Sequence, residues 1–512
     1  MEGTIFSLIP AIIMLVLVLL TRKVLLSLGI GIVVGALFIH NFNMLDSFKE
    51  IWNVFYGIFV SDGSLNMGEI QLIGFLLLLG IMTAFLQASG GSKAFGDWMT
   101  SKIKTRRGAH LMAPIFGIVI FIDDYFNALA VGQIARPITD RYNTSRAKLA
   151  YFIDSTSAPV TVISPVSSWG AYLIGVVGAL VTMIDLQPLE AFVKMIPYNF
   201  YALAAILLVF IVAFFNINIG PMKKHEARAV ETGEVIPKDK TVPGDLSNSF
   251  EPSKNGRVYH LVIPIIVLLL TTVGLMLITG ANASGDVVTL LSIFENTNVN
   301  FSLFYGGVAA VIVALILYVA QNNHHVKTSL VLVEGIKAML PAIYILLLAW
   351  MIGSIISTLQ TGEYLAQVVE NANISSAILP VIFFVISGFM ALATGTSWGT
   401  FGIMLPIAAN VMSIADPSLI IPSLAAVLAG AVFGDHVSPI SDTTVLSSTG
   451  AGANHIDHVL TQLPYAIIVA IASAIGYLLV GLTNSLLLGL VVTFLLVILT
   501  AFVVHNYNKK QS

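Results

Sequence analysis

The stretch Asp435-His436-Val437-Ser438-Pro439-Ile440-Ser441-Asp442-Thr443-Thr444 decides how the rest of the chain is read. It sets two carboxylates, an imidazole, four hydroxyls and a helix-breaking proline in an otherwise apolar region. No Lys or Arg occurs from Ala338 to Asn508, so no basic side chain of that half can pair with these carboxylates. A charge in hydrocarbon costs at least several kcal/mol, and polar groups there must find partners. Residues of this kind line a wet cavity or bind a cation, and that makes the chain a membrane transporter.

Composition agrees. The 512 residues are 57% hydrophobic and 10% charged, with a mean hydropathy of +0.92, whereas soluble domains carry roughly 25% charged residues. Apolar runs close to the ~20 residues that cross a bilayer recur along the whole length. They are continuous rather than alternating, so the spans are helices. The chain has no cysteine, which excludes disulfides, Fe–S clusters and thiolate metal sites. The run Ile5 to Leu20 lacks a basic leader and a small-residue cleavage site, and reads as a first span rather than a removable signal.

Lys and Arg cluster at Arg22-Lys23, Lys93 to Arg107, Arg136 to Lys148, Lys223 to Arg257, Lys327, Lys337 and Lys509-Lys510. The positive-inside rule puts these segments, with His324 and His325, in the cytoplasm. Threading spans between them gives an N-terminal half, 1–216, with spans 4–21, 24–39, 69–89 and 195–216, a hairpin at 109–135 and a broken span at 149–184. The hairpin starts and ends beside basic clusters. Each arm of about 13 residues reaches only ~20 Å, so it should re-enter on its own side, with its tip near Phe121-Ile122-Asp123-Asp124. Pro159, Pro165 and the Ser/Thr run from Ser155 to Ser168 break the following span. Segment 217–257, with seven Lys/Arg and six Asp/Glu and no helical apolar period, reads as a flexible cytoplasmic linker. The C-terminal half, 258–512, repeats the plan: spans 258–280, 301–320 and 338–359, a hairpin at 375–412 broken at Thr394 to Gly399, a broken span at 419–456, and spans 464–482 and 484–505.

Two patches recur. Asp154-x-x-Ser157-x-Pro159 returns as Asp435-x-x-Ser438-Pro439, and Ser167-Ser168-Trp169-Gly170-Ala171 as Ser447-Ser448-Thr449-Gly450-Ala451. The charge rule runs the two copies in opposite directions. The expected fold is an all-α polytopic membrane protein, an inverted-topology repeat with two re-entrant hairpins and two broken transmembrane helices, whose site lies where the breaks meet.

Hard cations take oxygen ligands. The candidates are Asp123, Asp124 and Asn127 from the first hairpin, Asp154, Ser155, Thr156 and Ser157 from the first broken span, Thr394, Thr396 and Ser397 from the second hairpin, and Asp435, His436, Ser438, Ser441, Asp442 and Thr443 from the second broken span. Na⁺ is placed at Asp435, Ser438 and Asp442. The plainer readings are that each Ser or Thr bonds back to its own helix, that one of Asp123 and Asp124 caps a helix, and that Asp154 caps a helix or pairs with Arg146 or Lys148. His455, Asp457 and His458 read as interfacial caps, and Trp169 and Trp398 as apolar walls beside the breaks. A buried carboxylate without a basic partner holds its proton more tightly, so proton and Na⁺ competing for one set of oxygens suffices for antiport. No H-E-x-x-H, Walker A or strand-linked G-x-G-x-x-G occurs. An enzyme is not expected, and a membrane hydrolase using paired aspartates is the less favoured alternative. No cofactor or nucleic acid is implied, and a homodimer is left open.

The run Phe433 to Thr444, with His455-Ile456-Asp457-His458 and Thr461-Gln462-Leu463-Pro464-Tyr465-Ala466, resembles the NhaC family of Na⁺/H⁺ antiporters. Phe121-Ile122-Asp123-Asp124-Tyr125-Phe126-Asn127 resembles a branch of that family. The resemblance implies inverted repeats with two re-entrant hairpins and coupling to Na⁺ and H⁺; a cell-membrane location is expected, and the charge rule puts the linker and C-terminus in the cytoplasm. It leaves the substrate open between simple exchange and Na⁺-coupled carriage of an amino acid or organic acid. No Arg follows Arg257 to bind a solute carboxylate, but helix N-termini at the breaks could do so.

Overall fold

The computed structural model describes all residues except 22, 62, 122, 166, 179, 181–185, 238–252, 286–287, 322–325, 362, 365–366, 368–374 and 512. His324, His325, Ile122, residues 181–185 of the first broken span and residues 238–252 of the linker therefore lie outside the described residues. The chain is built of helices: α1 (Ile9–Thr21), α2 (Val24–Ile39), α3 (Met44–Phe59), α4 (Met67–Ala88), α5 (Gly91–Lys102), α6 (Arg106–Val119), α7 (Asp124–Arg141), α8 (Arg146–Thr161), α9 (Ser168–Gly178), α10 (Pro188–Met195), α11 (Phe200–Phe215), α12 (Met222–Thr232), α13 (Tyr259–Ala283), α14 (Leu290–Glu295), α15 (Val299–Val319), α16 (Thr328–Thr358), α17 (Leu379–Thr394), α18 (Ser397–Ala415), α19 (Ile420–Val437), α20 (Asp442–Ala451), α21 (His455–Thr483) and α22 (Leu486–Gln511). Among the described residues, nine helices are long and apolar enough to cross a membrane, and Pro188–Tyr198 with Phe200–Phe215 form a further pair bent by 50°.

Four interruptions bring non-helical backbone into the interior, and three have a local cause in a cap, a glycine or a proline. Between α6 and α7, Asp123 accepts from the backbone N–H of Phe126 and starts α7 as its N-cap. Between α17 and α18, Gly395 takes a φ of +73°, and a Cβ there would press on Ile440 of the neighbouring break. Between α19 and α20, Pro439 stands two residues past the last helical residue, Val437, and Ser441 caps the next helix by accepting from the Thr444 N–H at 3.3 Å. The interruption between α8 and α9 falls after Pro159, which remains inside α8.

The interrupted helices pack on one another: α17 on α19, α18 on α19, α7 on α20, and α8 on α20. The crossing of α7 and α20 is close because Gly132 faces Gly450 and Gly450 faces Ala128, where added side chains would collide with backbone. Outside them, α4 packs on α15 and α16.

Several boundaries differ from expectation. Helix α21 begins at His455, not near 464. Gly452 ends α20 with a φ of +61°, and Asn454 then caps α21 by accepting from the Asp457 N–H at 3.2 Å. The segment His455 to His458, with its three polar residues, is thus a first helical turn and not the end of the broken span. The linker is not uniformly irregular, since α12 lies within it. That helix docks through one short face, Met222, Glu226 and Ala229, in which a buried acid sits between two buried apolar residues. The repeated patches do not occupy equivalent places either: Ser167 precedes α9 and its hydroxyl accepts from the Gly170 N–H, whereas Ser447 to Ala451 close α20. The first break begins eight residues after Asp154 and the second three after Asp435.

Candidate functional site

Two polar clusters form where the interruptions meet. In the first, Asp435 on the last turn of α19 accepts from the Ser397 hydroxyl at 3.0 Å and the Thr443 hydroxyl at 3.4 Å, both through Oδ2. Its other oxygen, Oδ1, is buried and accepts no hydrogen bond. Thr443 also shares a 2.7 Å bond with Ser441. Asp442 opens α20 and accepts from the Thr443 N–H at 2.8 Å and from the Tyr125 hydroxyl. Asp124, one residue before Tyr125, accepts from the Trp169 indole N–H at 2.8 Å, while its Oδ2 is buried without a partner. Asp442 lies within electrostatic reach of Asp124 and Asp435. Asp124 and Asp435 thus come from two other segments into electrostatic range of Asp442, and the three are held by hydroxyl, phenol, indole and backbone donors. Such an arrangement leaves oxygens free to meet a cation or a proton.

The second cluster surrounds Asp154, which is wholly buried. Its Oδ1 accepts from the Ser447 hydroxyl at 3.0 Å, and its Oδ2 from Gln462 at 2.6 Å and His458 at 3.1 Å. His436 Nε2 stands 3.9 Å away, and its Nδ1 meets the Tyr201 hydroxyl at 3.0 Å. Gln462 also donates to the His436 carbonyl at 2.7 Å. The adjoining cavity, lined by Ser155, Tyr201, His436 and Gln462, is about 10 Å³. That is room for about one water, and excludes an organic solute there.

The other expected residues fall into place around these clusters. Asn127 donates to the carbonyls of Gly117, Ile120 and Thr156, at 2.6, 2.8 and 3.2 Å, and so ties the end of α6 to α8. Thr156, Ser157 and Thr394 bond back to their own helices. The Thr396 carbonyl accepts from Thr394 and Thr400. The Ser438 proton goes to the Leu392 carbonyl at 2.9 Å, toward α17 rather than between the two carboxylates.

Three readings are corrected. Asp154 does not pair with Arg146 or Lys148. Arg146 binds Asp140 at 2.8 Å and Lys148 binds Glu226 at 3.3 Å, because both bases lie at the first turn of α8, two turns from Asp154. Trp169 is more than a wall: it packs edge-on against Trp398, with centroids 5.9 Å apart, and orients Asp124. His458 is a partner of Asp154 rather than an interfacial cap, and His455 turns to the Pro439 carbonyl at 2.7 Å. Among the described residues no three His, Cys, Asp or Glu side chains are grouped to hold a metal ion.

Tyr125, Tyr201, Ser447, His458 and Gln462 complete the clusters without having been assigned these roles from sequence. Tyr125, His458 and Gln462 stand inside the motifs that carry the family resemblance, and Ser447 inside the repeated patch. Their partners are hundreds of residues away, which local patterns do not report.

Residues 160–482 match the Na⁺/H⁺ antiporter family. The chain is 46% identical over 515 residues to an uncharacterized protein of Haemophilus influenzae, covering 99% of this chain and 96% of that one. It is also 34% identical over 155 residues to an uncharacterized Na⁺/H⁺ antiporter of the same organism, covering 29% of this chain and 31% of that one. A third relative is the malate-2H⁺/Na⁺-lactate antiporter of Bacillus subtilis, 29% identical over 201 residues and covering 38% of this chain and 40% of that one. With its interrupted helices and buried carboxylates, the chain is a membrane protein that belongs to the Na⁺/H⁺ antiporter family.

Proposed function

We propose that the protein is a secondary transporter that exchanges Na⁺ for H⁺ by competition at the carboxylate cluster of Asp124, Asp435 and Asp442. The observation that carries this reading is the pair of unpartnered buried oxygens, Asp435 Oδ1 and Asp124 Oδ2, in a cluster whose hydrogen-bond donors carry no formal charge. Unpaired buried charge costs several kcal/mol, so these oxygens need either a proton or a metal cation. Na⁺ sits between Asp435 and Asp442 with the hydroxyls of Ser397, Ser441 and Thr443 nearby, and Ser438 contributes only if it releases Leu392. In this reading α6–α7 and α17–α18 are re-entrant hairpins of two inverted halves, 1–216 and 258–512. The protein lies in the cell membrane with segment 217–257 and the C-terminus in the cytoplasm.

Proteoliposomes holding a pH-sensitive dye and a preset proton gradient test the proposal. Added Na⁺ alone should dissipate the gradient. Na⁺ flux that appears only with a mixture of amino acids and organic acids, with no proton movement, would instead support Na⁺-coupled solute carriage. The similarity to the malate-2H⁺/Na⁺-lactate antiporter supports a related outcome, in which organic acids are carried and protons move only when they are present.

A further inference from the structure

Beneath helix α3 lies a cavity of about 420 Å³ that includes Glu50, Asn53, Asn66, Glu69, Trp350 and Ser354 in its lining. It is much larger than the one-water space beside Asp154 and is rich in oxygen. Three observations connect it to the carboxylate cluster. Glu69, in the first turn of α4, lies within electrostatic reach of Asp442 and of Tyr125, the residue that donates to Asp442. Trp350 and Ser354 belong to α16, which packs against α20, the helix that Asp442 opens. Helix α4 leads away from the cavity for 22 residues, ~33 Å at 1.5 Å per residue, to α5 and its Lys93. The cavity thus lies at the end of the bundle opposite that basic segment.

We propose that this cavity is a vestibule that admits monovalent metal cations to Asp442 from the face bearing α3, with Glu69 as the residue that concentrates and selects them. It rests on the reading of Asp442 as part of the ion site. A carboxylate in a cleft with low-dielectric walls raises the local concentration of counter-ions and excludes anions. Glu50 shares the cavity and lies 3.4 Å from His40 Nε2. Asn53 and Asn66 offer amide oxygens that replace water around an arriving ion.

The absence of cysteine in the sequence makes a single introduced thiol a clean reporter. In Ser354→Cys, a membrane-impermeant cationic thiol reagent applied to the α3 face should react faster than an anionic one of similar size. That preference should fall about five-fold in Ser354→Cys with Glu69→Gln. In Na⁺ flux, Glu69→Gln should raise the half-saturating Na⁺ concentration about five-fold from the α3 face, with the value from the opposite face and the maximal rate unchanged. A thiol at 354 that reacts only from the opposite face, or charge preference unaltered by Glu69→Gln, would overturn the vestibule. Labelling does not depend on exchange, so failure of the Na⁺/H⁺ reading would appear separately, as absent flux with labelling intact.

Discussion

The Ser397 hydroxyl donates to Asp435 Oδ2 at 3.0 Å, across a gap of 38 residues, while Asp435 Oδ1 accepts nothing. One oxygen is fixed and the other is available, which suits a carboxylate that must hold an ion in a defined place and then release it. Substituting Asp435→Asn keeps the size and the bond to Ser397 but removes the charge. Na⁺-dependent proton flux in proteoliposomes should fall by at least about ten-fold, equivalent to ~1.4 kcal/mol. Ser397→Ala should cost less, because Thr443 remains as a donor.

Asp154 has a different character. Gln462 and His458 hold one oxygen and Ser447 the other, so it acts as a crosslink between the halves. Ser447→Ala removes one neutral donor and should destabilise by about 1–2 kcal/mol. Asp154→Leu strands a buried amide and imidazole and should cost more. Apparent melting temperatures in detergent would rank the two variants in that order.

Gly132 and Gly450 set the distance between α7 and α20, which carry Asp124 and Asp442. Gly132→Ala puts a methyl group against the Gly450 backbone, and overpacking of this kind costs about 1–3 kcal/mol. The melting temperature should fall, and Na⁺-dependent flux should fall with it even where folded protein is recovered.

Glu226 joins helix α12 to the first-half helices through Arg106 at 2.7 Å, Lys148 at 3.3 Å and the Ser145 N–H at 2.8 Å. Burial alone would raise its carboxyl, but Lys148 and Arg106 outweigh burial and hold it below the ordinary value of 4.5. A carboxyl lowered in the folded state contributes stability that is present above its unfolded value and lost as pH falls through its folded value. Glu226→Gln should therefore destabilise at pH 7 by about 3 kcal/mol, since Lys148 is left buried without its counter-charge. The gap between wild type and variant should close in acid, below the ordinary value. Thermal unfolding across pH checks both statements.

Much of this architecture is legible in the sequence, for specific reasons. Long apolar runs announce spans, and Pro439, Gly395 and the Ser/Thr-rich stretches announce interruptions, because backbone rules act locally. The carboxylates stand out for the same reason: they are rare in such surroundings. Helix α12 is hard to read, since its buried face is only Met222, Glu226 and Ala229 and its acid meets bases 78 and 120 positions earlier. The start of α21 is hidden because a polar first turn, His455 to His458, looks like loop until its imidazoles find Pro439 and Asp154. The second role of Trp169 is hidden as well, because its indole N–H meets an acid 45 positions earlier, Asp124.

The most direct test of competition for shared oxygens is proton release on Na⁺ binding. Purified protein in weakly buffered detergent would be mixed with NaCl while pH is followed, with choline chloride as the control. The account predicts that Na⁺, and not choline, expels protons, and that Asp435→Asn and Asp442→Asn each abolish the release. Saturable Na⁺ binding without proton release in the wild-type protein, or release undiminished in both variants, would contradict it.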